Sequence, residues 1–175
     1  SDLKIEEQEQ RHKRFNDTTY NLEPNIKESP GGLRDLQTIL WLSRASGLGF
    51  NWNALVKSAL ITASELRQIR RHEQHLQTLR IHLHYMAKRR EDRLIFDLQN
   101  GLAEALGFSN HKHHRASEQL MHAYYRSAKF VSLINEILLQ SIQEIVEPQD
   151  KQSVSINSRF ESCNGLLYEI GRAHV

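Results

Sequence analysis

The chain has 175 residues, 39% of them hydrophobic and 25% charged, a balance that excludes a membrane-embedded protein and a disordered tail alike. Its 23 Lys and Arg stand against 21 Asp and Glu, for a net charge of +2, too near neutral to imply a nucleic-acid binder. The single cysteine, Cys163, excludes an internal disulfide and a multi-cysteine zinc site, and suits a reducing cytoplasm.

No apolar run approaches the ~18 residues of a transmembrane helix, and no signal-peptide pattern opens the chain. The sequence starts at Ser1 and stops at Val175 without a closing feature, which reads as a piece of something longer. Residues 3–19 are polar and charge-rich, with a thin apolar stripe of Leu3, Ile5 and Phe15, and predict an exposed helix that packs on a missing neighbour. Residues 21–32 form an irregular connection ending in Pro30-Gly31-Gly32. Leu33, Leu36, Ile39, Leu40 and Ser43 then follow the spacing of a half-buried helix, closed by Gly47 and Gly49.

A short apolar helix is expected from Trp52 to Leu60. Thr62-Ala63-Ser64-Glu65 is a capping box. It opens a long helix whose stripe is Leu66, Ile69, Leu76, Leu79, Leu83 and Met86, read as bundle core. A further helix is expected over Arg93–Leu106, with Gly107 as its left-handed stop. After the histidine-rich 109–114 segment, a longer helix runs to about Val146, burying Leu120, Tyr124, Val131, Ile134, Leu138 and Ile145. Several amphipathic helices with short connections predict an all-α fold, an antiparallel helical bundle. The tail differs: Asn164-Gly165 between β-rich segments predicts a short C-terminal β-hairpin. The expected organisation is therefore an N-terminal helix or linker over 1–20, a bundle over 21–148 and a hairpin or linker over 149–175.

Two clusters carry the candidate chemistry. In the first, Gly31 and Gly32 precede a helix start, and Lys27 and Arg34 add charge. Unshielded amides at a helix N-terminus suit a phosphate or carboxylate, with Asp35 orienting Arg34. The alternative is a rigid turn whose arginine is neutralised by Glu23 or Glu28. The second cluster is Arg80, His84, Arg89, Asp92, Arg93 and Asp97. Arg80 and His84 stand four apart on one helix, as do Arg93 and Asp97 on the next. Residues 63–93 hold eight Lys/Arg against four acids, an excess that suits a phosphate-bearing ligand or an acidic partner; an ion-paired corner between helices is the other reading.

No metal site is expected: His72-Glu73-Gln74-His75 is one residue short of a zincin motif, and His111, His113 and His114 read as a solvated loop. No Asp-x-Asp pair, His-Asp dipeptide, Gly-Lys-Ser/Thr loop or nucleophile elbow occurs, so no catalytic set is complete within the chain.

The run Leu22-Glu23-Pro24-Asn25-Ile26-Lys27-Glu28-Ser29-Pro30-Gly31-Gly32-Leu33-Arg34-Asp35-Leu36 closely resembles a signature of the bifunctional uridylyltransferase/uridylyl-removing enzymes that modify the PII nitrogen-signalling protein. The resemblance continues through Leu83-His84, Arg89 to Asp97, Tyr124-Tyr125-Arg126-Ser127-Ala128, and Arg159-Phe160 with Asn164-Gly165. Ser29 stands where that family usually has glycine, a departure expected to loosen the turn. A related adenylyltransferase family has an acid followed by phenylalanine where this chain reads Asp35-Leu36.

The resemblance implies that a nucleotidyltransferase domain precedes this region and a His-Asp hydrolase domain follows it, both active sites lying outside it. The bundle would then be of the substrate-binding kind that accompanies nucleotidyltransferase cores. It further implies UMP transfer from UTP, with Mg2+, to a tyrosine of PII. Lys27, Gly31, Gly32, Arg34 and Asp35 would face the nucleotide cleft. The second cluster would line that cleft or an interdomain joint. Neither cofactor is expected to bind this region alone, and neither nucleic acid nor membrane is an expected partner.

Overall fold

The longest apolar stripe in the sequence becomes the axis of the molecule. In a computed structural model, which describes residues 2–15 and 21–147, the helices are α1 (Asp2–Arg14), α2 (Leu33–Ala45), α3 (Trp52–Lys57), α4 (Ala63–Ala87), α5 (Phe96–Ala105) and α6 (Ala116–Val146). Helix α6 packs against α2, α4 and α5, while α1 rests on α2 and α3 on α4. Leu120, Tyr124, Ala128, Val131, Ile134 and Leu138 of α6 meet Leu36, Ile39 and Leu42 of α2, Leu76, Leu79 and Leu83 of α4, and Leu102 of α5 in one core. Each fully buried Leu or Ile contributes roughly 1.5–3 kcal/mol by removing apolar surface from water. Among the described residues no helix is long and apolar enough to cross a membrane.

The helix ends follow local chemistry. Thr62 Oγ1 accepts the Glu65 N–H at 3.1 Å, as the capping box predicts, and Asn51 Oδ1 caps α3 through the Ala54 N–H at 2.9 Å. Gly107, at φ +89°, follows the end of α5, and the Phe108 N–H returns to the Ala103 carbonyl at 3.0 Å.

Three expectations need correction. Helix α3 ends at Lys57 rather than Leu60, because Ala59 turns to φ +61°. Helix α5 begins at Phe96 rather than Arg93, because the chain before it is extended and pairs with the 24–26 segment. The Ile26 N–H donates to the Asp92 carbonyl at 2.7 Å and the Leu94 N–H to the Pro24 carbonyl at 2.8 Å, with Asn25 and Arg93 forming an isolated antiparallel bridge. Ile145, placed in the buried stripe, is half exposed, because it lies in the last turn of α6, past Ile142, the final α6 residue of the core. Among the described residues the only β pairing is in isolated bridges; the proposed hairpin at Asn164-Gly165 lies outside them.

Candidate functional site

The first cluster folds inward around Asp35. Its carboxylate is completely buried and accepts three hydrogen bonds. Arg11 Nη2 donates to Oδ1 at 2.7 Å, His12 Nε2 lies 2.9 Å from the same oxygen, and the Gly31 N–H donates to Oδ2 at 2.8 Å. A carboxylate oxygen only accepts, so His12 Nε2 carries the proton in this contact. Arg11 also donates to the Glu28 carbonyl at 3.1 Å. Behind the carboxylate, Asn135 of α6 donates to the Asp35 carbonyl at 3.0 Å and exchanges a reciprocal amide pair with Gln8 of α1, at 2.9 and 3.0 Å. Two buried polar contacts therefore bind α1 to α2 and α6. Of its apolar stripe, Ile5 packs against the core, whereas Leu3 is 81% exposed.

The 21–32 segment is cross-linked to itself. Asn25 Oδ1 accepts the N–H groups of Lys27 and Glu28 at 3.0 and 2.8 Å, an Asx turn. Ser29, buried, accepts the Asn25 N–H on its hydroxyl at 2.9 Å. The departure at 29 thus tightens the turn that it was expected to loosen, because the hydroxyl supplies an acceptor that glycine lacks.

The glycines serve packing. Gly31 sits at φ +79°, and a Cβ there would stand 2.1 Å from the Ala128 carbonyl oxygen of α6; at Gly32 it would meet three backbone carbonyls within 2.8 Å. The amides expected to cradle an anion all have partners inside the protein. The Gly31 N–H goes to Asp35, the Gly32 N–H to the Ser29 carbonyl at 2.8 Å, the Leu33 N–H to Ile26 at 3.0 Å and the Arg34 N–H to Lys27 at 2.9 Å. Nor does Asp35 orient Arg34. That guanidinium reaches Glu28 at 3.1 Å and Gln37 at 3.3 Å, so the ion-pair alternative describes it. Of this cluster, the Lys27 and Arg34 side chains alone remain partly open to solvent.

The second cluster centres on Asp92, whose Oδ1 accepts Arg80 Nε at 2.6 Å and His84 Nε2 at 2.7 Å. Burial works against the ionised carboxylate, but these two hydrogen bonds and their charges together outweigh it and hold the group below its usual range. The i, i+4 reading of Arg80 and His84 therefore joins them on one acid. Arg93 turns away from Asp97 and pairs with Glu23 at 3.3 Å, because residue 93 lies before α5 rather than on it; Asp97 is exposed. Arg89 pairs with Glu91 at 3.0 Å on the surface. The bridge between residues 25 and 93 brings both clusters to one end of the bundle.

Sequence reasoning missed a third polar joint. His72 and His75, one turn apart on α4, place their Nδ1 atoms 2.9 and 2.8 Å from the buried Ser127 Oγ on α6. The His72 ring also stacks on Phe130 at 4.4 Å between centroids. Burial, with the charges of Arg71, His75 and Arg126, lowers the pKa of His72 to about 4, and burial beside Arg126 lowers that of His75. The i, i+3 spacing of the histidines was visible, but not the serine across the interface. The 124–128 run, prominent in sequence, now has structural roles. Tyr125 donates to the Asn21 carbonyl at 3.0 Å, Ser127 bridges the histidines, and the Ala128 backbone receives Gly31.

Among the described residues no three His, Cys, Asp or Glu side chains are grouped to hold a metal ion. The acids at the charged end, Glu23, Glu28, Asp35 and Asp92, already face cations of the chain itself. Among the described residues these paired acids do not fit a Mg2+ site.

The family model described as GlnD PII-uridylyltransferase matches residues 2–139. The chain belongs to the PII-uridylyltransferase family. It is 51% identical to a bifunctional uridylyltransferase/uridylyl-removing enzyme of Bordetella avium over 162 residues, covering 92% of this chain and 19% of that protein. The enzyme of the same name from Nitrosospira multiformis is 52% identical over 162 residues, with 92% and 18% covered, and that from Cupriavidus pinatubonensis 47% identical over 165 residues, with 94% and 19% covered. The chain thus spans about a fifth of the length of these curated relatives. No solved structure matches it significantly.

Proposed function

We propose that this chain serves as the helical domain of a PII uridylyltransferase, an enzyme transferring UMP from UTP to a tyrosine of PII, and that its charged corner is a joint holding α1 in place. The observation that carries this reading is the fully buried Asp35 carboxylate, which ties Arg11 and His12 of α1 to the turn entering α2. A joint built on buried, charge-assisted contacts fixes one orientation of α1, and so of whatever is connected to it. UTP and Mg2+ would be held by a nucleotidyltransferase domain on the α1 side, with a hydrolase domain beyond the other end, all in the cytoplasm. The family membership and the partial span of the relatives support this arrangement.

A second reading rests on the solvent-facing side chains of Lys27 and Arg34: they line the nucleotide cleft and meet phosphate charge. Full-length uridylyltransferase carrying this segment separates the two. Under the joint reading, Asp35→Asn lowers both melting temperature and UMP transfer, while Lys27→Ala and Arg34→Ala leave the KM for UTP within about twofold. A KM for UTP raised about tenfold or more at unchanged melting temperature assigns the corner to the nucleotide instead. Full transfer and full stability in Asp35→Asn would remove the joint.

A further inference from the structure

A groove of about 520 Å³ runs between α3 and the first turns of α4, the same helix that carries Arg80 and His84 of the second cluster further on. Its apolar lining is the buried Leu66, the half-buried Val56 and the exposed Ala63, and it carries Lys57, Arg67 and Arg70, with no acid among the lining residues. All three cations are exposed. Arg70 touches only the neutral Asn53 amide, at 3.2 Å, and neither Lys57 nor Arg67 makes an ion pair among the described residues. Elsewhere Arg34, Arg80, Arg89 and Arg93 each have a carboxylate, while Arg90, Lys112 and Lys129 stand singly on the surface rather than around an apolar patch. Two acids flank the rim on α4: Glu65, in the first turn, which has interactions of its own, and Glu73, which feels Arg70 although burial pushes its carboxyl up on balance. Helix stability does not call for the arginines either, since they sit towards the end of α4 where the dipole is positive.

We infer that this groove is a docking site for an acidic segment of a partner protein, carboxylates on the rim cations and one apolar side chain on the Val56–Leu66 floor. Charge complementarity selects the occupant: three like charges held around an apolar floor are relieved by an anion that also brings hydrocarbon. A small phosphate fits less well, because every polar lining residue is exposed and none is buried and aimed inward to replace its water. A separate partner fits better than a permanently docked domain, because the cores of obligate interfaces are depleted of charge whereas solvated rims suit reversible association.

The test uses the 175-residue chain and a fluorescein-labelled acidic dodecapeptide of Asp and Glu with one central Leu, read by fluorescence anisotropy. The docking site predicts saturable binding that weakens with added salt, and loses about tenfold in affinity in Lys57→Gln/Arg67→Gln/Arg70→Gln. An equal change of net charge elsewhere, Arg90→Gln/Lys112→Gln/Lys129→Gln, leaves the affinity within about twofold, and replacing the probe's Leu by Ser weakens it. Circular dichroism verifies that both triple variants keep their helicity, as expected for exposed positions. Equal losses in the two variants, indifference to the Leu, no binding by the parent chain, or tighter binding of inorganic triphosphate than of the peptide overturns the inference.

Discussion

At the residue scale, the decisive group is a carboxylate with no access to water. Arg11, His12 and the Gly31 amide all point at the Asp35 carboxylate, and taking away one member leaves a buried group without its partner. Removing one partner of a buried pair costs roughly 3–5 kcal/mol. Asp35→Ala and Arg11→Ala should each lower unfolding free energy in urea by about that amount. The double variant should lose far less than the sum, because the second substitution removes a charge already stranded. Purely additive losses would show that the pair is not coupled. Tyr124 makes the opposite case. Its hydroxyl is buried without a partner among the described atoms, and burial, with Tyr125 and Asp35 nearby, pushes its pKa well up and keeps it neutral. An unsatisfied buried hydroxyl costs roughly 1–3 kcal/mol, so Tyr124→Phe should leave the melting temperature unchanged or raise it; a marked fall would mean the hydroxyl has a partner, such as an ordered water.

At the element scale, helix contacts are set by close approach and by polar bridges between stripes. Gly31 allows the turn before α2 to lie directly on the α6 backbone. Gly31→Ala should therefore destabilise by at least about 2 kcal/mol. Gly47→Ala, at φ +71° with nothing within 4 Å of the new Cβ, should carry only the left-handed penalty of about 1 kcal/mol. Chemical denaturation of the two variants side by side measures the difference, and equal losses would deny the backbone approach.

The α4–α6 bridge predicts a pH dependence. The folded protein holds His72 and His75 neutral, whereas the unfolded chain protonates them near 6.5. Between those states the unfolded chain binds more protons, so stability is complete above about pH 6.5 and falls as pH drops towards 4. Asp92, depressed below 3.8, adds its loss only at still lower pH. The melting temperature should thus fall between pH 7 and pH 5, and fall less steeply in His72→Phe. A flat profile in the parent protein over that range contradicts the buried, neutral pair.

The stripes of α2, α4 and α6 were legible because hydrophobic period is a local property, and so was the Thr62 cap. What escaped the sequence was every contact that joins distant positions: Asp35 to Arg11, His72 to Ser127, Gln8 to Asn135, Asn25 to Arg93. Sequence placed Asp35 beside Arg34, its neighbour in the chain, whereas side chains one residue apart on a helix diverge. The resemblance to a family drew attention to the 22–36 corner, yet the expected anion cradle required open amides, and whether an amide is open is a tertiary fact.

At the scale of the whole molecule, the helical core would stand without α1, which contributes few apolar contacts and docks instead through Gln8, Arg11 and His12. Polar docking of this kind fixes orientation more than it adds stability, which suits a segment whose relatives are about five times longer. Amide hydrogen exchange along α1, compared between the parent chain and Asp35→Asn, tests this most directly. The joint predicts that α1 amides lose protection by at least about tenfold in the variant while those of α4 and α6 keep theirs; unchanged protection of α1 would contradict it.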